Sequence, residues 1–273
     1  MSGEDWDLQW APPGPGVRLQ GSPLWFDVWP RDGVGFLSSL DALDHRRIRG
    51  PVICSSLLAS LLRVVRPRAR VLPLEGPIGL GRLRLSCWPT GTTPGASGLL
   101  VERAPRRLAY LVDGDARTLV HRGAMEVVQV DTVLWWVTDG GSSGGGIGTS
   151  GGSEGLGTAL QRLIEGEKTG VIEVSPPLHA LCRAGRRLGL ALPETRTRKG
   201  AFPASGDEPK PRGERPVLAR EGVSPDDLVR VSRQMGARRL VLAGPGARQM
   251  QRHLAGRGIP VETLGPVVVP VLL

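Results

Sequence analysis

From about Gly16 to Asp139 the chain alternates short apolar runs with glycine and proline punctuation: "VRLQG", "LWFDVWP", "VGFLSSL", "PVICSS", "ARVLPL", "LRLSCWP", "GLLVERA", "RRLAYLVDGD" and "DTVLWWVTD". Their length and their β-branched and aromatic content predict strands. One run, "SSLLASLLRVV", repeats at helical spacing instead, with Ser55 or Ser56 as its N-cap. The stretch Gly140 to Gly155, "GGSSGGGIGTSGGSEG", is low in complexity and predicts a flexible connection. Beyond it, "LGTALQRLIEGE" predicts a helix, "TGVIEVS" a strand and "HALCRAGRRLGL" a second helix. The polar, proline-rich "PETRTRKGAFPASGDEPKPRGERP" predicts a loop. Order returns with "SPDDLVRVSRQMG", where Ser224 precedes Pro225 and acids fill the first helical turn. Then come a strand and turn, "ARRLVLAGPG", a helix, "ARQMQRHLAGRG", and one or two closing strands in "IPVETLGPVVVPVLL".

The pattern divides the chain into three parts: a β-rich part over 1–139, a Gly-rich linker and insertion over 140–215, and a closing part over 216–273. A chain of 273 residues can bury one substantial core, or one core and a smaller lobe. No apolar run approaches the ~20 residues that span a bilayer, and the acidic opening "MSGEDWDLQW" lacks the apolar region of a signal peptide. The three cysteines, Cys54, Cys87 and Cys182, are odd in number, lack zinc-type spacing and lie in or beside apolar runs. They predict buried free thiols in a reducing compartment, so the expected location is intracellular: the cytoplasm, or the nucleus in a eukaryote. The net charge of +9, carried almost wholly by arginine, favours polyanionic partners such as DNA or RNA.

Candidate chemistry is sparse. Gly146, Gly148 and Gly151 form a G-x-G-x-x-G ahead of a helix, and Glu173 stands where the acid of a dinucleotide site would fall. The glycine run is longer than a fingerprint turn, however, and a mobile linker is the better reading; no cofactor is expected. Ser38, Ser39, Ser55 and Ser56 lack the G-x-S-x-G elbow of a serine hydrolase. Asp44 and His45 could form an acid–base pair, but an Asp capping a helix with His45 in its first turn is the simpler arrangement. His121, His179 and His253 have no metal-ligand spacing with one another or with a cysteine.

The order of the segments carries a resemblance. "LWFDVWPRDGVGFLSSLDALDH" is similar to the entry strand, Asp-containing turn and H-x-H-x-D-H strand of the metallo-β-lactamase-fold nucleases with a β-CASP insertion, of the ligase-associated exonuclease and Artemis kinds. "RGPVICSSLLASLLR" resembles the strand and helix that follow, and "CWPTGTTPGAS" the loop that carries a further histidine. "LAYLVDGDAR" resembles the strand ending in Gly-Asp-Phe-Arg, and "VDTVLWWVTDGG" the strand leaving the first half of the fold. "GVSPDDLVRVSRQMGARRLVLAGPG" resembles the late segment that contributes two more histidines. The resemblance implies an α/β fold, a metallo-β-lactamase-like αββα sandwich with a shortened β-CASP-like insertion. It also implies a site of two metals, usually zinc, held by imidazoles and carboxylates. Position by position, the histidine places fall on Leu40, Ala42, Thr92, the neighbourhood of Gly222, and Gly244 between Ala243 and Pro245. Asp44, His45 and Asp115, or Asp113 in its stead, remain as vestiges.

The expectation is therefore a pseudoenzyme: no catalytic residue, no metal, and a structural or binding role beside an active nuclease or another nucleic-acid-processing or repair protein. Active β-CASP enzymes have inactive paralogues that pair with them, which lends this role an analogy. The competing expectation is a hydrolase or exonuclease working with one metal at Asp44, His45 and Asp115. Arg46, Arg47 and Arg49 beside the old metal loop, and Arg183, Arg186 and Arg187 in the insertion helix, are the candidate phosphate contacts. Phosphate binding needs positioned cations and does not depend on the metals. The tryptophans Trp6 and Trp10 and the tail "GPVVVPVLL" are the expected protein-docking segments.

Overall fold

A computed structural model describes residues 6–10, 16–43, 49–112, 128–137, 156–166, 171–197 and 224–265. The first sheet runs in chain order through β1 (Leu8–Trp10), β2 (Val17–Leu19), β3 (Leu24–Phe26), β4 (Val34–Phe36), β5 (Val52–Ser55) and β6 (Val71–Leu74). Its first three strands pair antiparallel and the rest parallel. The second sheet begins as a meander of β7 (Ile78–Leu80), β8 (Leu83–Pro89), β9 (Ser97–Arg103) and β10 (Arg106–Val112), with β11 (Thr132–Trp136) parallel to β10. A small parallel pair, β12 (Ile172–Val174) and β13 (Thr195–Thr197), lies apart. Then β14 (Arg239–Ala243) and β15 (Val261–Leu264) extend the second sheet in parallel beyond β11.

Among the described residues five helices cover the outer faces: α1 (Ser56–Val65), α2 (Leu156–Glu165), α3 (Pro176–Arg187), α4 (Pro225–Gln234) and α5 (Ala247–Leu254). The side-chain alternation of the strands sets the layers. In β5, Ile53 faces the second sheet while Val52 and Cys54 face α1, Leu160 of α2 and Leu181 of α3. In β14, Val241 joins the seam between the sheets while Leu240 and Leu242 meet Leu228 of α4 and Met250 of α5. Strands buried on both faces read as unbroken apolar runs, which is why "PVICSS" and "RRLVLAG" lack polar alternation. The order of layers is αββα, the sandwich expected from the sequence.

The helix starts follow their residues. Ser55 Oγ accepts the Leu58 amide at 3.3 Å and caps α1, and Ser224 Oγ accepts the Asp227 amide at 3.1 Å ahead of Pro225. Helix α3 begins at Pro176, earlier than the expected His179, because a proline in the first turn forfeits no hydrogen bond. Strand β13 forms where a loop was expected: Glu194 and Thr195–Thr197 line up beside β12, and Arg196 pairs with Glu173 at 2.7 Å. The N-terminal segment also departs from expectation. Trp6 is only 1% exposed, Trp10 stacks on Trp136 with centroids 5.8 Å apart, and β1 pairs with β2. Trp6 is packed inside the sandwich, while Trp10 stays partly exposed.

One arginine ties the outer edges together. Arg239 meets both Glu262 oxygens, at 2.8 and 2.6 Å, and gives a further bond to the Trp6 carbonyl at 3.1 Å. The hydrogen bond to Arg239 holds the Glu262 carboxyl below its ordinary range, so this support for β15 is present at neutral pH and lost as pH falls through that lowered value.

Burial pushes the Cys54 thiol up to about 12, the Cys87 thiol adding to the rise and Arg63 opposing it. The folded protein therefore holds this proton where the unfolded chain loses it. The Cys54 contribution to stability should be complete below the ordinary thiol value of 9.0 and vanish as pH climbs toward 12. Urea midpoints measured across that range should fall more steeply for the native chain than for Cys54→Ala, and equal slopes would disprove the assignment.

Candidate functional site

The strand registers bring one set of strand ends together. The parallel strands β3 to β6 finish where the parallel strands of the second sheet finish, because Ser97, at the start of antiparallel β9, donates its amide to the Ser38 carbonyl just beyond β4 at 2.9 Å. Crevices outside the carboxyl ends of parallel strands are where open α/β sheets bind ligands. At this end stand Asp27, Ser38, Ser55, the 90–96 loop and the turn after β14.

Asp27 is the centre of the arrangement. It is 6% exposed and adopts φ 52°, a left-handed conformation that aspartate tolerates better than most residues. Its Oδ1 accepts the Ser38 amide at 2.8 Å, and its Oδ2 accepts the Ser38 hydroxyl and the Tyr110 hydroxyl, each at 2.7 Å. Ser38 comes from the first sheet and Tyr110 from β10 of the second, so one carboxylate bridges the seam. Beside it, Ser55 Oγ donates to the Gly95 carbonyl at 2.6 Å. Gly95, at φ 79°, is obligatory there: a Cβ would come within 2.7 Å of the Leu58 amide nitrogen. The Thr90 and Thr92 hydroxyls lie 3.4 Å apart. Gly244, at φ 99°, passes so close to β11 that a Cβ would stand 2.5 Å from the Val137 carbonyl oxygen.

The expected site residues distribute unevenly over this frame. Asp44, His45, Arg46 and Arg47 lie outside the described residues, as do Asp113, Asp115, His121 and Gly222. Leu40 is 2% exposed and packs in the apolar layer among the helices of the first sheet, with Ala42 against the same cluster. Asp41 between them caps α2: its Oδ1 accepts the Gly157 and Thr158 amides at 2.7 and 3.1 Å, and its Oδ2 the Thr158 hydroxyl at 2.7 Å. Gly146, Gly148 and Gly151 are outside the described residues. The helix start that would receive a pyrophosphate in a dinucleotide site is taken by this carboxylate. Arg49 precedes β5 and lies at the opposite end of the first sheet, where Pro51 accepts the Gly35 amide. Arg183 and Arg187 are exposed on α3, while Arg186 donates to the Pro193 carbonyl. His179 Nδ1 lies 3.0 Å from Thr195 Oγ1, and His253 is exposed on α5.

The two metals of the resembled family do not fit the described residues. Leu40, Ala42, Thr92 and Gly244, which the resemblance puts at ligand places, carry neither imidazole nor carboxylate, and no cluster of three or more His, Cys, Asp or Glu side chains able to hold a metal occurs among the described residues. What sequence reasoning missed is the Asp27–Tyr110 pair. The signal was available in one form: Tyr110 is the only tyrosine, set in the otherwise apolar "LAYLV", and a buried hydroxyl needs a partner.

No family model matches the chain, and neither does any curated protein. Solved structures do resemble it. A protein of unknown function from Enterococcus faecalis V583 superposes with a TM-score of 0.53 at 10% identity, over 85% of this chain and 79% of that one. The metallo-β-lactamase-fold protein YhfI from Bacillus subtilis gives 0.44 at 7% identity, over 92% and 87%. Igni18, a metallo hydrolase from Ignicoccus hospitalis KIN4/I, gives 0.45 at 8%, over 95% and 94%. At such identities the likeness concerns the fold alone. The fold is an αββα sandwich, as its layers define it.

Two substitutions probe the frame. Tyr110→Phe removes one donor from a buried carboxylate and should cost about 1.5–3 kcal/mol. Asp41→Ala removes the cap of α2 and should cost about 0.5–2 kcal/mol. Urea denaturation reads both, and a neutral Tyr110→Phe would mean that the Asp27 bond contributes nothing to the seam.

Proposed function

We propose that the chain is a catalytically inactive relative of the metallo-β-lactamase-fold, β-CASP-type nucleases, acting as a structural or binding subunit in nucleic-acid processing or repair. Residues 140–215 would then be the reduced β-CASP-like insertion. The observation that carries the reading is the loop over 40–42. Where a two-metal hydrolase presents imidazoles toward a bridging water, this loop gives Leu40 to an apolar layer and Asp41 to a helix cap.

Chemistry reinforces the point. A buried imidazole without a partner costs free energy, whereas leucine and alanine at the same places are stabilised by packing. Loss of an outer-sphere partner alone weakens metal sites about 10–100-fold, and here the directly coordinating groups at the described places are absent. A sandwich kept without that chemistry acts through its surface. Nucleic acid and an intracellular protein partner, such as an active nuclease of the same fold, are the candidates that the positive charge and the analogy favour. Arg46, Arg47, Arg49, Arg183, Arg186 and Arg187 remain the phosphate contacts proposed from the sequence.

The native protein should purify without stoichiometric zinc or manganese, should not cleave single- or double-stranded DNA or RNA, and should retain a protein partner on affinity purification. Two metals per chain by elemental analysis, or nuclease activity abolished by Asp44→Ala, would instead establish an enzyme.

A further inference from the structure

The end of the sandwich opposite Asp27 carries a groove that the preceding reading leaves unused. The β2–β3, β7–β8 and β9–β10 turns rim it, together with the residues leading into β11 and β14. Its volume is ≈ 1110 Å³, above the ~300–1,000 Å³ of a small-molecule pocket. Among the described residues, four arginines, Arg82, Arg103, Arg106 and Arg238, and one acidic residue, Asp131, line it. That carboxylate is already engaged: its Oδ2 accepts the Arg107 amide at 2.6 Å, and its backbone carbonyl accepts the Arg238 and Arg239 amides. Asp131 thus knits the starts of β10, β11 and β14, and leaves the groove with an excess of positive charge.

We propose that this groove binds the phosphate backbone of a nucleic-acid strand. The cations arise from the β7–β8 turn (Arg82), the β9–β10 hairpin, where Arg103 and Arg106 pair in register, and the entry to β14 (Arg238), so the charges are spread along a channel rather than gathered on one small anion. All four are arginines, whose planar forks match phosphate oxygens in pairs. Arg103 is preset: its guanidinium lies over the Trp6 ring, 4.9 Å from the centroid. Stacking of this kind uses the face of the group and not its in-plane N–H edge. The rim also admits a bulky chain. Gly21 and Gly81 are the turn tips, at φ 68° and 60°, and an added Cβ at either meets no atom within 4 Å. Backbone contact of this type is independent of base sequence and of whether the chain is catalytic. It is also separate from the arginines of α3.

Fluorescence anisotropy with labelled 20-nucleotide single strands of DNA and of RNA tests the site, the two arms separating the sugar types. Native protein should bind, and binding should weaken steeply between 50 and 200 mM salt, as ~0.7 counterions are released per phosphate contacted on a single strand. Arg82→Glu with Arg238→Glu should weaken binding at least about tenfold and flatten the salt slope by about 1.4. Arg82→Lys with Arg238→Lys should keep most of the slope. Arg183→Glu with Arg187→Glu tests the separate contacts proposed on α3, and Arg230→Glu with Arg248→Glu, exposed on α4 and α5 and outside the groove lining, should leave both affinity and slope unchanged. As a readout that needs no variant, bound strand should shield Arg82 and Arg238 from phenylglyoxal in the native chain. The proposal falls if the native protein binds neither strand, if the Arg82/Arg238 reversal binds normally, or if only the α3 reversal abolishes binding. It also falls if polyglutamate displaces the strand at equal charge, since the groove would then be a site for acidic protein.

Discussion

The Asp27 carboxylate sits at the seam of the two sheets, taking the amide and hydroxyl of Ser38 from one side and the phenol of Tyr110 from the other. A carboxylate removed from water is tolerated only where donors replace the lost hydration. These donors come from segments distant in sequence, so the site is complete only when both sheets have closed. The constraint then propagates outward. With Ser38 fixed, its carbonyl receives the Ser97 amide and sets the start of β9. The 90–96 loop is fixed in turn, and its Gly95 carbonyl takes the hydroxyl that also caps α1. A single buried charge thus determines the register of the sheets and the direction of the first helix.

Much of this architecture was legible in the chain. Runs such as "DTVLWWVTD" and "RRLVLAG" are apolar on both faces, and only the middle layers of a sandwich accommodate such strands. Serine-led helix starts at Ser55 and Ser224 were equally plain. Two of the three-residue strands were not. The β7 strand, Ile78–Leu80, and the β13 strand, Thr195–Thr197, are too short to express a period, and pairing alone defines them. The N-terminal tryptophans were open for another reason: an aromatic residue near a terminus has the same local pattern whether it packs or projects. The site was least legible, because the Asp27–Tyr110 bond spans 83 positions and leaves no local trace.

The two ends of the sandwich differ in chemical character. One presents, among the described residues, the hydroxyls of Ser38, Thr90 and Ser55 and a single buried carboxylate already matched by donors. The other gathers guanidinium groups on its turns. The parallel strands separate these ends by their length, so a change of charge at one leaves the hydrogen bonding of the other intact.

The loop over 40–42 has a consequence for how the chain could change over time. Leu40 is a wall of the outer apolar layer, and Asp41 anchors a helix through the Gly157 amide, 116 positions later. A histidine introduced at 40 would lose packing before any metal could offset the loss, and it would gain no second ligand from Ala42 or Gly244. Each step toward coordination lowers stability until several are complete. The present arrangement therefore resists change at this loop: a substitution at Leu40 or Asp41 disturbs packing or a helix cap at once, while the surface remains free to vary.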